Sequence, residues 1–366
     1  MRILHITEAA EYGVLRHISL VTGELARRGH ECAVLLFGNR IDEGVELPCQ
    51  RIIHRQTGGR LANMHDSIKA IRHTITDFQP DIVHLHAFTA GVAGRLAARG
   101  CIYSPHCFAL HKSIPWLTRK AVAWTEKLLC LRTGAYAFVS ENEYFDAALK
   151  WELNLDQSKL HVCLNGLPED FANGMYSRDE ARSRLEAMHP GIFGAKKAGV
   201  FPGRLCPQKN PGLVIDALEK MGKNAPRIVF CGDGPLMESL KQRKCHSAFF
   251  AGRIPELWRH LKAFDFAIMT SWYEGLSYAF LECMAAGLPI TAPEAAGIID
   301  VILNINEKLP KCSLNIYPEK GAAELAQKIS YLTQMPNYPS FIPLTLTKQV
   351  DALLEVYKSY NRAHSR

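Results

Sequence analysis

The sequence predicts an α/β protein built from two doubly wound parallel sheets, and three observations lead to this prediction. The chain has 366 residues, which is enough for two domains of ordinary size. Apolar residues make up 48% and charged residues 22%, proportions typical of globular proteins rather than of disordered or membrane-spanning chains. Short apolar, β-branched segments alternate with longer segments of helical period, and this series occurs twice, which favours parallel strands joined by helices.

The first series of elements occupies the N-terminal part of the chain. Short runs that are apolar on both faces predict parallel strands at residues 2–6, 31–37, 81–86, 101–106 and 135–140. Longer runs of helical period predict helices at residues 14–28, 61–78, 90–98 and 114–131. In the first of these helices, Leu15, Ile18, Val21 and Leu25 recur on one face. Strands and helices therefore alternate as in a doubly wound sheet.

The second series repeats this pattern. Strands are predicted at residues 199–203, 227–231, 248–251, 266–270 and 288–291. Helices are predicted at residues 211–221, 237–244, 256–263, 278–286 and 322–332.

A domain boundary is expected between the two series. Residues 164–170 contain Asn-Gly and Leu-Pro, which have turn chemistry. The predicted domains are 1–168 and 169–346, each Rossmann-like. An amphipathic segment near the end could pack on either domain, and we assign the C-terminal helix, residues 347–366, to the first.

The charge is mild and evenly spread. The net charge is +7, of which residues 1–168 carry +3 (19 Lys and Arg against 16 Asp and Glu) and residues 169–366 carry +4 (24 against 20). Neither half forms a basic tail, so we expect no nucleic-acid partner.

The cysteines and the N-terminus indicate the compartment. The eleven cysteines include no C-x-x-C pair, which favours reduced thiols. The first residues lack the apolar core of a signal peptide, and no window of about 18 uninterrupted apolar residues exists. We therefore expect a cytoplasmic protein, at most peripheral to the inner face of the cell membrane.

Two acids follow a predicted strand of the second domain. Glu274 lies in the loop after the strand, Ser277 is a plausible N-cap, and Glu282 lies about 7.5 Å further along the helix. Ligands of open α/β sheets bind beyond the carboxyl ends of the strands. Glu274 can accept hydrogen bonds from a sugar, the N–H groups of Gly275, Leu276 and Ser277 can hold a diphosphate, and Glu282 can bind a ribose, the order found in a nucleotide sugar. Alternatively, Glu274 is a solvated loop acid and Glu282 helps to cap the helix.

Two cations follow another strand of the same domain. Arg204 comes just after the strand, and Lys209 lies five residues later, before a predicted helix. An arginine and a lysine at this position suit a diphosphate and would stabilise it as a leaving group. Alternatively, both are surface cations on a solvated loop.

Three histidines lie at strand ends of the first domain. His84 and His86 close one predicted strand, and His106 closes the next. Three histidines can bind a metal ion, so a metal-dependent hydrolase is an alternative function. We expect the alternation of side chains to place His84 and His86 on opposite strand faces, which disfavours joint ligation. We therefore predict no metal site.

One predicted helix of the first domain is both apolar and basic. Residues 111–132 include Trp116, Trp124 and Leu128 together with Arg119 and other cations. The helix either packs on its sheet with a solvated basic face or lies on an acidic membrane surface.

An ordered set of motifs resembles the retaining nucleotide-sugar glycosyltransferases of family 4. It consists of Gly13, DIVHLH at 81–86, SPHCF at 104–108, Asn165-Gly166, Arg204 with Lys209, GDGP at 232–235, and the pair Glu274 and Glu282. The resemblance covers most of the chain and implies the GT-B fold, two Rossmann-like domains facing across a cleft. It implies a metal-independent hexosyltransferase that uses no cofactor, only a nucleotide sugar as co-substrate, most commonly a UDP-sugar.

The resemblance also implies a role for each matching residue. Gly13 lines the donor diphosphate, His106 contacts the donor sugar, Arg204 and Lys209 bind the diphosphate, Glu274 binds the sugar hydroxyls, Glu282 binds the ribose, and Arg253 and Ile254 approach the base through backbone groups. His106, Arg204, Lys209 and Glu274 would form the catalytic set. The implied acceptor is a hydroxyl of a glycan or lipid-linked sugar, in surface polysaccharide, lipopolysaccharide or lipid-linked glycan synthesis. A non-catalytic sugar-nucleotide binding protein is the remaining alternative.

The sequence departs from the family pattern at a few positions. Tyr12 stands before Gly13 where a second glycine is usual, and Cys107 replaces the common glycine after His106. Ala296 and Asp300 replace a glycine and a glutamate, and residues 308–318 lack a glycine before their strand. None of these departures affects the charged donor residues.

Overall fold

The computed structural model describes residues 1–9, 12–38, 46–55, 64–107, 110, 115–150, 153, 155–194, 197–293, 301, 314–317 and 321–364. Positions 296 and 300 and most of the 308–318 segment lie outside these residues. The chain divides into two compact units. The first unit comprises Met1–Gly166 and Leu346–Arg366, and the second comprises Leu167–Thr345. The boundary predicted after residue 168 lies two residues from this division.

The first unit contains a seven-stranded parallel sheet in the order β3-β2-β1-β4-β5-β6-β7. Its strands are β1 (Arg2–Thr7), β2 (Glu31–Phe37), β3 (Arg51–Arg55), β4 (Ile82–His86), β5 (Cys101–Ser104), β6 (Thr133–Phe138) and β7 (Leu160–Val162). Its helices are α1 (Tyr12–Arg27), α2 (Met64–Phe78), α3 (Phe88–Ala97), α4 (Trp116–Leu129), α5 (Glu141–Phe145) and the C-terminal helix (Leu346–His364). The strand order reverses between β1 and β4, and ligands of such sheets bind at this switch point.

The two faces of the first sheet carry different cores. Along β1, Leu4 and Ile6 join a cluster with residues of α2 and α3, whereas Ile3 faces a cluster that includes Val350 and Tyr357 of the C-terminal helix. Because side chains alternate along a strand, His5 shares the face of Ile3. The C-terminal helix therefore covers the face that bears His5.

The second unit contains a six-stranded parallel sheet in the order β10-β9-β8-β11-β12-β13. Its strands are β8 (Ala198–Pro202), β9 (Arg227–Cys231), β10 (Ala248–Gly252), β11 (Phe266–Ile268), β12 (Ile290–Pro293) and β13 (Leu314–Tyr317). Its helices are α6 (Arg178–Met188), α7 (Pro211–Met221), α8 (Met237–Gln242), α9 (Leu257–His260), α10 (Tyr278–Ala285) and α11 (Ala322–Leu332). Phe201, Phe230 and Phe266 are buried in a core with Val214 of α7 and Ile329 of α11. These two parallel sheets with flanking helices confirm the predicted Rossmann-like fold class.

Among the described residues, no helix combines the length and the apolar character that crossing a membrane requires.

Candidate functional site

A small pocket lies in the second unit where β8 and β11 end and α10 begins. Its lining includes Phe201, Lys209, Met269, Ser271, Glu274 and Ser277. Three predicted donor residues, Lys209, Glu274 and Ser277, therefore lie around one pocket. Lys209 Nζ lies 2.5 Å from Glu274 Oε1, and the two side chains are only 22% and 12% exposed. An unpaired buried charge is costly, and here two opposite charges lie side by side within the pocket.

Hydrogen bonds join the loop of Lys209 to the loop of Glu274. The backbone N–H of Trp272 donates to the carbonyl oxygen of Gln208 over 2.8 Å, and Gln208 Nε2 donates to the Tyr273 carbonyl over 3.1 Å. The hydroxyl of Thr270 donates to the carbonyl oxygen of Lys209 over 2.8 Å. The backbone around the ion pair is thus held by its own unit.

A glycine turn supports the loop that carries Arg204. A Cβ on Gly232 would lie 2.1 Å from the carbonyl oxygen of Gly203, and a Cβ on Gly234 would lie 2.4 Å from that of Leu205. Only glycine permits such close approach between the two backbones. The half-buried Arg204 makes no ion pair with the residues that the structure describes.

The start of α10 corresponds to the predicted helix N-terminus, with one difference. Ser277 occupies the N-cap position, but its side chain makes no capping hydrogen bond. Its carbonyl oxygen accepts from the N–H of Phe280 over 3.1 Å. Ser277 therefore lines the pocket without a side-chain hydrogen bond that caps the helix.

The other predicted donor residues of this unit lie near the same sheet edge. Gly275 and Leu276 are buried in the loop before α10, and Glu282 is half-buried within the helix. Arg253 is exposed and Ile254 is buried, just after β10. Because all strands are parallel, β10 ends at the same edge as β8. Contacts of these residues with a nucleotide sugar stay predictions.

Gly13 is the second residue of α1 in the first unit. It is exposed, and a Cβ there would meet no described atom within 4 Å. Packing within the described part of the unit therefore does not require a glycine here. Its role beside a diphosphate stays a prediction.

His106 follows β5 in an unusual backbone conformation. Its φ is +51°, and that of Cys107 is +85°. The buried carboxylate of Glu143 accepts from the N–H of Cys107, and it also accepts from the N–H of Val139 over 3.0 Å. Left-handed backbone is costly for residues other than glycine, so these hydrogen bonds help to hold the loop in place.

The prediction that His84 and His86 lie on opposite faces is wrong. Residues two apart on a strand share a face, and the two rings lie 4.1 Å apart. His5 pairs with His84 in the β1–β4 register and lies on this face too. With His17 of α1 and His106, these residues form a group that we call the histidine cluster.

Burial keeps the histidine cluster uncharged near neutral pH. It lowers the pKa of His5 to about 3 and that of His17 to about 4. It also lowers the pKa values of His84, His86 and His106 well below the usual value. Each ring therefore carries a single N–H.

Hydrogen bonds link the rings of the cluster. His5 Nδ1 lies 3.0 Å from His86 Nε2, and His86 Nδ1 lies 2.9 Å from His106 Nε2. His17 Nδ1 lies 3.0 Å from Asn165 Oδ1.

Two sets of three histidines bring ring nitrogens within 4.8 Å of one another, which is close enough to hold a metal ion: His5, His84 and His86, and His17, His86 and His106. In the first set, both nitrogens of His84 have partners. The Ser104 hydroxyl donates to the Ala137 carbonyl over 2.5 Å, so it accepts from His84 Nε2–H. His84 Nδ1 then accepts from the Tyr357 hydroxyl, 2.6 Å away. The nitrogens of His86, which both sets share, face His5 and His106.

Sequence reasoning missed several members of this network. His5 interrupts the apolar run of β1, and His17 lies three residues after Val14 and four before Val21 on α1, so it shares their apolar face. A polar ring at a buried position is the signal that could have identified both. Tyr357, which donates to His84, and Gln349, which donates to the Asn165 side chain over 3.1 Å, belong to the C-terminal helix. Nothing in their local sequence distinguishes them.

Two family models match the chain. Residues 12–171 match Glycosyltransferase Family 4, and residues 196–335 match Glycosyl transferases group 1. Neither supports the hydrolase alternative.

Individual relatives agree with these matches. The UDP-Gal:alpha-D-GlcNAc-diphosphoundecaprenol alpha-1,3-galactosyltransferase of Escherichia coli is 34% identical over 57% of this chain and 56% of its own. The sulfoquinovosyl transferase of Arabidopsis thaliana is 27% identical over 62% of this chain and 45% of its own. The chain thus spans about half the length of these curated relatives.

A solved structure shares the fold. Anabaena HepE in complex with UDP and glucose has a TM-score of 0.70 at 17% identity, over 100% of this chain and 98% of its own. This likeness shows the fold alone. Since the two family models together cover most of the sequence, the chain belongs to the glycosyltransferases of the GT-B fold.

Proposed function

We propose that the protein is a retaining, metal-independent hexosyltransferase that moves a sugar from a nucleotide sugar, most simply a UDP-sugar, to a hydroxyl acceptor. One observation carries this proposal. Lys209, Glu274 and the N-terminus of α10 surround one pocket at the strand ends of the second unit. A cation, a carboxylate and a helix N-terminus are the groups that a sugar diphosphate needs.

The ion pair explains how the pocket can take an anion. A diphosphate entering beside α10 offers Lys209 a stronger partner than Glu274, since it carries more negative charge. Glu274 is then released to accept hydrogen bonds from sugar hydroxyls. Arg204 and the N–H groups at the start of α10 add positive potential for the diphosphate. Glu282 binds the ribose in this scheme.

The remaining donor contacts follow the roles that the resemblance implies. Backbone groups of Arg253 and Ile254 approach the base, and Gly13 lines the diphosphate. Neither contact needs a side-chain functional group, which agrees with the exposed Gly13 and the buried apolar Ile254.

In the proposed reaction, the bond between the anomeric carbon and the diphosphate oxygen breaks while the acceptor oxygen bonds to the same face of that carbon. The acceptor proton passes to the leaving phosphate oxygen. Glu274 and Glu282 have binding roles, so no carboxylate acts as nucleophile. Lys209 and Arg204 stabilise the charge of the leaving diphosphate, and His106 orients the sugar.

We further propose that catalysis needs no metal. The two cations supply the charge that a divalent ion would otherwise provide to a diphosphate. Both nitrogens of His84 are used by Ser104 and Tyr357, which disfavours ligation by this residue. No other cofactor is required in this scheme.

Sugar transfer tests this proposal, with product anomers read by NMR. We expect transfer from a UDP-hexose with retained configuration and unchanged turnover in a chelator. Lys209→Ala should lower kcat by about 100-fold, the usual effect of removing one group that stabilises transition-state charge. Lys241→Ala, which changes an exposed side chain of α8, is the matched control.

Specific outcomes would contradict the proposal. Inverted configuration would exclude the same-face mechanism, and loss of turnover in chelator would exclude metal independence. Tight donor binding without transfer to any acceptor would favour a non-catalytic sugar-nucleotide binding protein.

We propose a glycan or lipid-linked sugar as acceptor, in surface polysaccharide, lipopolysaccharide or lipid-linked glycan synthesis. The name of the Escherichia coli relative, a diphosphoundecaprenol galactosyltransferase, supports a lipid-linked acceptor. Such an acceptor places the reaction at the inner face of the cell membrane, on the cytoplasmic side.

An exposed apolar surface on α4 supports contact with that membrane. Trp116, Leu117, Trp124 and Leu128 are between 61% and 65% exposed, and Leu131 just beyond is 80% exposed. The opposite side of α4 packs on the core, where Glu126 and Leu129 are buried.

Cations border this apolar surface. Arg119 and Lys120 are exposed, and Lys120 Nζ lies 4.6 Å from the centre of the Trp116 ring. Aromatic and leucine side chains beside basic ones are typical of helices that bind anionic lipid surfaces. Helix α4 therefore packs on its unit, and its exposed apolar and basic face supports the proposed membrane contact.

Sedimentation with lipid vesicles tests this contact. We expect the protein to co-sediment with vesicles that contain phosphatidylglycerol at low salt and to stay in solution with pure phosphatidylcholine. Replacing Trp116 and Trp124 by alanine should weaken binding about tenfold or more, because two large apolar side chains no longer insert. Met188→Ala, at an exposed apolar position of the second unit, is the control. Equal binding by both variants would contradict the proposed surface.

A further inference from the structure

Three rings of the histidine cluster form a continuous chain of hydrogen bonds. His5 Nδ1 faces His86 Nε2, and His86 Nδ1 faces His106 Nε2. A neutral imidazole donates at one nitrogen and accepts at the other. The three rings must therefore all donate in the same direction, either toward His106 or toward His5.

The His5 end of this series of hydrogen bonds determines the direction in which the rings donate. His5 is fully buried, and its Nε2 has no hydrogen-bond partner among the residues that the structure describes. Donation toward His5 would leave an N–H at this atom, whereas donation toward His106 leaves only a lone pair. Buried N–H groups without partners are rarer than unpaired acceptors. The unpartnered His5 Nε2 therefore favours donation from His5 Nδ1–H to His86, and from His86 Nδ1–H to His106.

We propose that His5 and His86 are positioning residues that fix His106 as the tautomer protonated at Nδ1, so that His106 donates a hydrogen bond to an oxygen of the donor sugar. The sugar contact rests on the proposed function, whereas the tautomer does not. In this state, Nε2 of His106 accepts from His86 and Nδ1 carries a proton. His106 is therefore a hydrogen-bond donor and not a general base, which agrees with transfer of the acceptor proton to the leaving phosphate.

Other hydrogen bonds fix the tautomers of two neighbouring rings. His84 carries its proton on Nε2, because Ser104 donates its only proton to Ala137.

His17 carries its proton on the other nitrogen. The N–H of Gly166 donates to Gln349 Oε1 over 2.9 Å, so Gln349 Nε2 donates to Asn165 Oδ1, 3.1 Å away. The atom of Asn165 that faces His17 Nδ1 is thus an acceptor. It lies 3.0 Å from His17 Nδ1, nearer than the Gln349 amide nitrogen at 3.2 Å, so His17 Nδ1 carries the proton and donates to Asn165. His84 and His17 therefore provide one reference signal for each of the two neutral tautomers in the same spectrum.

Nitrogen NMR of the full chain labelled with ¹⁵N-histidine reads each tautomer directly. Signals are assigned by single histidine variants, near neutral pH and without substrate. We expect proton-bearing Nδ1 in His106, His86 and His17, and proton-bearing Nε2 in His84. A proton on Nε2 of His106, or on both of its nitrogens, would overturn the proposal. This readout is independent of sugar transfer, so failure of the proposed function would not be confused with failure of this inference.

Paired variants test the positioning role. The side-chain amide of His86→Asn can replace Nδ1–H as a donor to His106, whereas His86→Leu cannot. We expect His86→Leu to lower kcat about tenfold, with a smaller effect on donor KM, and to shift the His106 tautomer, because an oriented hydrogen bond is lost. His86→Asn should recover most of both effects. Equal kcat for the two variants, or an unchanged His106 tautomer in His86→Leu, would contradict the role of His86.

Discussion

At the scale of single residues, Lys209 and Glu274 neutralise each other within the pocket of the second unit. Their side-chain atoms lie 2.5 Å apart, and both side chains are largely buried. The pair leaves neither charge uncompensated inside the pocket. Hydrogen bonds from Thr270 and Gln208 hold the surrounding backbone. In the proposed function, a diphosphate would replace Glu274 as the partner of Lys209.

Cys107 is a residue where the chain departs from the family pattern, and its conformation gives a prediction. Its φ of +85° is unfavourable for β-branched side chains. We expect Cys107→Val to lower the free energy of unfolding by about 1–3 kcal/mol, and Cys107→Gly to leave it nearly unchanged. Urea unfolding followed by circular dichroism measures both. Equal stability of the two variants would show that the backbone here is not strained.

Sequence reasoning succeeded where a residue's position followed from its place at a strand end. Lys209, Glu274 and Ser277 come from two different loops, yet parallel strands deliver those loops to one sheet edge. The prediction for His84 and His86 is wrong because side chains alternate along a strand, so residues two apart share a face. Sequence reasoning missed His17 and Gln349 because their hydrogen bonds to Asn165 span 148 and 184 residues of the chain.

At the scale of elements, buried strands were the most predictable. Strands 31–37 and 227–231 and helices 211–221 and 322–332 have the predicted bounds. The exposed edge strand β3 was not predicted, since none of its side chains is fully buried. Helix α6 was also missed, because Ala181 and Leu185 are its only buried residues. An element with a narrow buried face leaves only a weak hydrophobic pattern.

The histidine cluster, on β1, β4 and α1 and after β5, predicts acid sensitivity. Burial lowers the pKa of His5 to about 3 and that of His17 to about 4, and the other three are also lowered. Between these values and the unfolded value of 6.5, the unfolded chain binds more protons than the folded chain. The contribution of the cluster to the free energy of unfolding is therefore fully present above about pH 6.5. Below that pH it falls by about 1.4 kcal/mol per pH unit for each histidine.

Urea unfolding between about pH 7 and pH 5 measures this dependence. We expect the free energy of unfolding to depend less steeply on pH in His5→Asn, because this variant removes one buried imidazole. The control, His65→Gln, changes a side chain that is 89% exposed and should leave the slope as it is. A free energy of unfolding that stays constant over this range would contradict neutral burial of the cluster.

At the scale of the whole molecule, each of the two parallel sheets places a different set of side chains at the carboxyl ends of its strands. The second unit brings the ion pair, Arg204 and the start of α10 to one edge. The first unit brings the histidine cluster to the ends of β4 and β5. The net charge of +7 is shared almost equally between the halves of the chain, so overall charge does not distinguish their roles.

Calorimetric titration of the full chain with UDP and with UDP-hexoses tests the central claim most directly. The account predicts saturable binding by the wild-type protein and by Lys241→Ala, and binding weakened about tenfold or more by Lys209→Ala, since one charge-assisted contact to the diphosphate is lost. Equal affinity of Lys209→Ala and the wild-type protein would contradict the claim that this pocket binds the donor diphosphate.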